Sequence, residues 1–344
     1  MIFINIVSKE VYLKNHFEDY MKKSKVEICF IGNAIVDILS KTSNEMLNKL
    51  RIPKGSMQIV DQETCDKILK HIQNPSIISG GSAANAAVGF NSFGGKCCFI
   101  GQIGNDKFGD LFSKDLNNSG VLFQNKDLQL PEKTSKSIVL VTPDAERSMN
   151  TFLGASNKFN IKSFDEQYII NSNIIYIEGY LFDQPEAKEA IYYCCKLAKS
   201  HDKKIALSLS DLFCVDRHRT DFLELIDEYV DIIFANEAEI KSLYQSELKE
   251  SINNIKNNVD YGAITLGSKG SVVFENKLEY FVDPTRVVEL VDTTGAGDLF
   301  AAGFLFGFIN KYSIEKCGNL GNKAASEIIK HMGARPKTSL KAIL

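Results

Sequence analysis

The stretch Ile174-Ile175-Tyr176-Ile177, then Gly179, then Gln184 to Ser200, then Lys204-Ile205-Ala206-Leu207-Ser208-Leu209 before Asp211 reads as strand, helix, strand. Both short runs are apolar and end at turn residues, the mark of a buried strand. Between them Ala187, Ile191, Cys195 and Ala198 recur at helical spacing. The unit repeats in both directions. Upstream, Val26-Glu27-Ile28-Cys29-Phe30-Ile31 ends at Gly32, Ser82 to Phe93 is an Ala-rich helix, and Cys97-Cys98-Phe99-Ile100 ends at Gly101. Downstream, Ile232-Ile233-Phe234-Ala235 stops at Asn236 and Tyr261-Gly262-Ala263-Ile264-Thr265 precedes Gly267, with helical patterns over Arg219–Tyr229 and Glu237–Tyr244. This alternation predicts an α/β fold of three layers, a mostly parallel sheet flanked by helices. Ligands in such folds sit at the carboxyl ends of the strands, where these turn residues lie. Two β-prone, turn-rich stretches, 40–61 and 123–152, break the pattern. They predict a small antiparallel sheet, a discontinuous lid on one domain spanning 25–344, with residues 1–24 as an extension.

Composition removes several function classes. The 344 residues are 44% hydrophobic and 24% charged, which excludes a disordered chain. Forty Lys+Arg against 43 Asp+Glu leave a net charge of -3, which argues against a nucleic-acid binder. The eight cysteines form no Cys-x-x-Cys pair, and Cys97-Cys98 and Cys194-Cys195 are sequence neighbours whose side chains diverge. Reduced thiols packed as small apolar side chains are expected, not zinc ligands or a disulfide framework. No run approaches the roughly 18 apolar residues of a membrane span. The apolar start, Met1 to Val7, lacks the basic flank of a signal peptide. A cytoplasmic protein with no membrane partner is expected.

The most specific chemistry lies in Asp292-Thr293-Thr294-Gly295-Ala296-Gly297-Asp298, followed by the apolar run Leu299 to Gly307. Glycines before an apolar helix leave free N–H groups at its positive end, an anion site. Asp298 at the same end reads either as a helix cap or as a base beside an oxyanion hole, a pairing suited to phosphoryl transfer to a hydroxyl. The second stretch, Ser79-Gly80-Gly81-Ser82-Ala83-Ala84-Asn85, also opens an Ala-rich helix. Alone it is as well read as a tight turn, although Asn85 offers a donor and an acceptor for a polyol. It fits neither Gly-x4-Gly-Lys-Ser/Thr nor Gly-x-Gly-x-x-Gly, so a Walker-type ATPase and a dinucleotide enzyme lose support.

Together, and in this order, the two stretches resemble the signatures of the ribokinase family, also called PfkB-type carbohydrate kinases, which includes adenosine kinases. The resemblance runs from about Val26 to the C-terminus. Gly32-Asn33-Ala34-Ile35-Val36-Asp37 is similar to the opening turn whose carboxylate holds two sugar hydroxyls, with Asp37 the matching residue. Gly101-Gln102-Ile103-Gly104-Asn105-Asp106-Lys107-Phe108-Gly109 resembles the rest of the first signature. Glu146-Arg147-Ser148-Met149-Asn150-Thr151-Phe152 resembles the adenosine-kinase-like branch, as do Ser208-Leu209-Ser210-Asp211 and Arg217-His218-Arg219.

The resemblance implies an ATP-dependent kinase acting on a primary hydroxyl of a nucleoside or sugar. Asp298 would be the general base, and Gly295, Ala296 and Gly297 the N–H donors to the transferring group. Arg147 would swing towards that group. Asp37, Gly80, Gly81 and Asn85 would hold the acceptor. Asn236-Glu237-Ala238-Glu239 matches the Asn-x-x-Glu motif that organises Mg2+ and phosphate, Asn236 on the nucleotide and Glu239 near the metal. As a Ser/Thr/Asp/Asn-x-x-Glu pattern it is equally a capping box. Thr265, Gly267 and Gly270 match a nucleotide loop, and Asn322 and His331 fall where the family contacts adenine. K+ near Asp292 and Thr294 is also compatible. Adenosine is the expected acceptor, in a slot formed by Met57, Tyr180 and Leu181. A ribokinase- or fructokinase-type sugar kinase, or a catalytically silent binding protein of this fold, is the alternative, as monomer or homodimer.

Overall fold

The computed structural model describes residues 26–126, 130–144 and 146–344, so the extension expected over 1–24 lies outside the described residues. Strand β1 (Ile28–Ile31) is buried along its whole length and lies parallel to β5 (Cys97–Ile100) on one side and β9 (Ile174–Glu178) on the other. Beyond β9 follow β10 (Lys204–Ser208), β11 (Ile232–Asn236) and β12 (Tyr261–Thr265), all parallel. An antiparallel hairpin, β13 (Ser271–Glu275) and β14 (Leu278–Val282), closes that edge, and β6 (Leu122–Gln124) closes the other. The nine-stranded order is β14-β13-β12-β11-β10-β9-β1-β5-β6.

The continuous apolar runs follow from burial on both faces. Side chains alternate across a strand, so Cys29 and Ile31 join one core layer and Ile28 and Phe30 the other. The first layer is covered by α6 (Pro185–Ser200), α7 (Leu212–Glu228), α8 (Glu237–Tyr244) and α9 (Leu248–Asn258). The second is covered by α3 (Ser82–Ser92), α4 (Lys107–Asn118), α10 (Ala296–Ile309) and α11 (Ile314–Ile328). The sequence pattern placed a helix only from Arg219. In the structure Asp211 starts α7 earlier, its carboxylate accepting from the Cys214 N–H at 2.6 Å, and non-helical angles at His218 (φ -121°, ψ 23°) break the helix and its periodicity. All eight cysteines are buried free thiols. Burial pushes the thiols of Cys29, Cys97 and Cys195 well up.

The chain leaves the large sheet directly after β1. Across Gly32-Asn33-Ala34 it enters a second, five-stranded sheet of order β3-β8-β7-β2-β4. Its strands are β2 (Ile35–Lys41), β3 (Met57–Ile59), β4 (Ser76–Ser79), β7 (Ser135–Val141) and β8 (Arg147–Phe152). The antiparallel pairs β2/β4 and β7/β8 are joined by the parallel ladder β2/β7, and β3 adds a parallel edge strand beside β8. This sheet begins before residue 40 and takes in Ser76–Ser79, whereas Phe123 belongs to β6 of the large sheet. The back of the small sheet has its own apolar layer, in which Ile38, Ile138 and Leu140 meet Leu47 of α1 (Asn44–Leu50) and Cys65 and Ile68 of α2 (Gln62–Leu69).

Candidate active site

Two glycine-led helix starts converge between the sheets. At α10, Gly295 takes a left-handed conformation (φ 79°), which turns the chain sharply into the helix and is costly for any residue with a Cβ. Asp298 lies in the first turn. At α3, Gly81 has φ 88°, and a Cβ there would run into the Asn33 carbonyl. The first turn of α3 faces that of α10. Ser82 donates its hydroxyl to Asp298 Oδ1 at 2.6 Å, and Asn85 donates Nδ2 to Asp298 Oδ2 at 3.0 Å. Burial raises the Asp298 pKa, and these two hydrogen bonds oppose it. The result is a carboxylate held by neutral donors, open to the space in front of the glycine loop.

That space is a cleft of about 670 Å³ between the sheets. Its floor is the carboxyl ends of β1, β9, β10, β11 and β12, represented by Asn33, Glu178, Ser208, Asn236 and Thr265. Asp37, Gly81, Asn85, Gly267, Gly295, Ala296, Gly297 and Asp298 line it too. Gly297 and Gly267 have nothing within 4 Å of where a Cβ would be, so their backbone faces open space. The Ala296 N–H bends back to the Thr293 carbonyl at 3.2 Å, so it is already shared within the loop.

Asp37 projects from β2, and burial raises its carboxyl to about 7. Arg335 opposes that shift, while Asp298 and Asp292 add to it. Gly80 lies outside the cleft lining and packs against Asp37, which occupies the space a Cβ on Gly80 would need. Asn236 and Glu239 form a reciprocal cap. Glu239 N donates to Asn236 Oδ1 at 2.9 Å, Asn236 N donates to Glu239 Oε2 at 2.9 Å, and Asn236 Nδ2 donates to Oε1 at 2.6 Å. Burial lifts Glu239 to about 7. With both its oxygens engaged, Glu239 suits a water-mediated contact to a hard cation better than direct ligation. Among the described residues no group of three or more His, Cys, Asp or Glu is arranged to hold a metal.

Arg147, on β8 of the small sheet, reaches the glycine loop. Its Nη1 lies 2.7 Å from Asp292 Oδ1 and 2.5 Å from Thr294 Oγ1. Burial alone would raise the Asp292 pKa, but Arg147, the Gly333 N–H and Thr294 outweigh it and hold the carboxyl below the usual range. Asp292 therefore already carries a cation, the guanidinium, where the resemblance allowed K+.

Several expected residues are not brought into the cleft. Gly270 (φ 99°) is a turn residue pressed against the Val282 carbonyl. Asn322 donates Nδ2 to the Val282 and Asp283 carbonyls at 3.3 and 2.9 Å, tying α11 to the end of β14. His331 is half-buried outside the lining, its Nδ1 3.2 Å from the Met332 carbonyl. Leu181 is buried in the main core, whereas Met57 and Tyr180 do face the cleft. Tyr180 donates its hydroxyl to Asp211 Oδ2 at 3.0 Å.

Two residues escaped sequence reasoning. Glu178, fully buried, accepts from Asn33 N at 3.3 Å, Asn33 Nδ2 at 3.0 Å and Ala83 N at 2.8 Å, which ties the turn after β1 to the start of α3. Burial raises its carboxyl to about 7. A charge ending an otherwise apolar strand, Ile174 to Ile177, was the available signal. Arg335 is the other, and nothing in its sequence context points to the cleft.

Known proteins carry the same architecture. The profile of the pfkB family carbohydrate kinases matches residues 55–341. A probable sugar kinase from Rhizobium etli CFN 42 superposes with a TM-score of 0.87 at 40% identity, covering 93% of this chain and 98% of that one. An adenosine kinase from Sinorhizobium meliloti gives a TM-score of 0.87 at 38% identity with the same coverage, 93% and 98%. An adenosine kinase from Dictyostelium discoideum is 27% identical over 337 residues, 90% of this chain and 96% of that protein. With a profile match over most of its length and close structural relatives over nearly all of it, the chain belongs to the PfkB family, the ATP-dependent kinases of sugars and nucleosides.

Proposed function

We propose that this kinase is an adenosine kinase, converting adenosine and ATP to AMP and ADP with Asp298 as general base. The observation that carries the reading is the Asp298 carboxylate, held by Ser82 and Asn85 in the same helix turn as the glycine loop. The primary hydroxyl loses its proton to Asp298 as its oxygen bonds to the γ-phosphorus and the bridging oxygen leaves with ADP. The N–H groups of Gly295 and Gly297 and the helix dipole face the charge on the transferring group. Asp37 and Asn85 hold the ring hydroxyls. Arg147 closes the lid strand onto the loop and is within reach of the same phosphate. Asn236, Thr265 and Gly267 line the nucleotide end. Mg2+ would neutralise the phosphates, held through water by Glu239.

A nucleoside is favoured over a sugar by the cleft's apolar wall. Phe213 (64% exposed), Ile59 (54%), Met57 (40%) and Met149 (38%) all face the cleft with little covering them. A furanose would leave that wall wet, whereas a flat base would cover it. The likeness to a probable sugar kinase supports the second reading, a furanose kinase. ADP release measured over a panel of nucleosides and furanoses tests the proposal. Adenosine-dependent release is expected. Release with furanoses alone overturns the acceptor, and ligand binding without release makes the protein a silent binder.

A further inference from the structure

The chain after α11 is stitched into the site by three successive residues. Gly333 donates its N–H to Asp292 Oδ2 at 3.0 Å. Ala334, 4% exposed, packs beneath Gly295, so close that a Cβ there would lie 2.6 Å from its own. Arg335 then turns inward with only 10% of its side chain exposed. Its guanidinium carbon sits 5.7 Å from the centre of the Phe112 ring, and Nη1 pairs with Asp115 on α4. Nε donates to Asn85 Oδ1 and Nη2 to the Gly80 carbonyl, both at 3.4 Å.

The chemistry of these partners leaves one arrangement. A guanidinium only donates and an ionised carboxylate only accepts. Asn85 lies between the two, with Oδ1 towards Arg335 and Nδ2 towards Asp298. Flipping the amide would set donor against donor on one side and acceptor against acceptor on the other. Asp37 packs against Gly80, whose carbonyl Arg335 holds, so the guanidinium is the cation beside a carboxylate whose other charged neighbours, Asp298 and Asp292, are both acids.

We propose that Arg335 is a positioning residue for the acceptor: it fixes the direction of the Asn85 amide and supplies the positive charge opposite Asp37. It rests on the reading of Asp37, Asn85 and Asp298 as the acceptor site, and it adds a residue from outside both glycine-rich stretches. Asp115, 44% exposed on α4, anchors the guanidinium from the solvent side. The Phe112 ring beneath the guanidinium limits its sideways movement.

The test compares the full-length protein with Arg335→Gln and Arg335→Lys. In Arg335→Gln the acceptor KM rises about tenfold, as for loss of a charged hydrogen bond, while the ATP KM stays near wild type. Without the opposing charge the Asp37 pKa rises further, so the acidic limb of kcat/KM for the acceptor moves to higher pH. Arg335→Lys keeps the charge and loses the fork, so its limb stays in place while its acceptor KM still rises. An Arg335→Gln enzyme with wild-type acceptor KM and an unmoved limb overturns the proposal. If that variant does not fold, an unchanged acceptor KM in Arg335→Lys overturns the orienting role. A crystal structure of either variant reads the same claim without turnover. Asn85 is expected to leave Asp298, and an undisturbed Asn85 side chain refutes the proposal even if the wild type phosphorylates no acceptor, an outcome that would reject the acceptor-site reading itself.

Discussion

Replacing Asp298 by Asn keeps the shape of the side chain and removes its basicity. Two effects on stability oppose each other. With its oxygen towards the Asn85 NH2 group and its nitrogen towards the Ser82 hydroxyl, which can turn to accept, the amide keeps both hydrogen bonds but loses their charge assistance, at a cost of about 1–2 kcal/mol. Against this, the variant no longer carries a carboxylate whose charged form is disfavoured by burial. A near balance is expected, with the melting temperature within a few degrees of wild type. Catalysis has no such compensation. A positioned general base contributes about 10²–10⁴ in rate, or about 3–5 kcal/mol of barrier. Steady-state ADP release should therefore show kcat lower by about 10² or more, with acceptor KM within about threefold, because Asp37 and Asn85 still hold the hydroxyls. A folded Asp298→Asn enzyme with kcat within tenfold of wild type (about 1.4 kcal/mol) refutes the base assignment.

Burial raises Asp37, Glu178 and Glu239 to about 7, so their contribution to stability is complete below the ordinary carboxylate range and is lost as pH rises through 7. Urea unfolding at pH 5 and pH 8 should show the advantage of wild type over Glu178→Gln shrinking by an amount on the order of 3 kcal/mol, and an advantage that grows with pH refutes the shift. Gly295→Ala places a Cβ at φ 79° and 2.6 Å from the Ala334 Cβ. Thermal denaturation should show a loss of at least about 1–2 kcal/mol with a raised ATP KM, and an unchanged melting temperature rules out the strained turn. Phe213→Ala removes a side chain that is 64% exposed, so stability should hold while the adenosine KM rises about tenfold, as for loss of one base-stacking contact. Unchanged adenosine KM would show that the base lies elsewhere.

The large sheet was legible because its strands are buried on both faces. Residues such as Cys29-Phe30-Ile31 then read as unbroken apolar runs between turns. The glycine loop and Asp298 were legible because a helix N-terminus after glycines has a fixed physical meaning. The small sheet was less so. Strand β2 follows β1 after three residues, and β4 is a short, half-exposed edge, so neither announces a change of sheet. Arg335 was illegible for another reason. Its partners Asp115, Gly80 and Asn85 are more than 200 residues away along the chain, and only the packing of the segment after α11 joins them. Asn322 and Gly270 show the reverse case. The family resemblance set both at the nucleotide, but Asn322 Nδ2 is taken up by the Val282 and Asp283 carbonyls at the end of β14, and the Gly270 backbone by Leu266 and Gly267 in the turn before β13.

The sealed sulfurs have a practical consequence. Every thiol lies inside a packed layer, so a thiol-reactive dye can reach one only when that layer opens. Alkylation kinetics would then act as an intrinsic clock for breathing motions. Cys65 reports on the layer behind the small sheet, Cys29 and Cys195 on one side of the large sheet, and Cys97 and Cys317 on the other, with no engineered label.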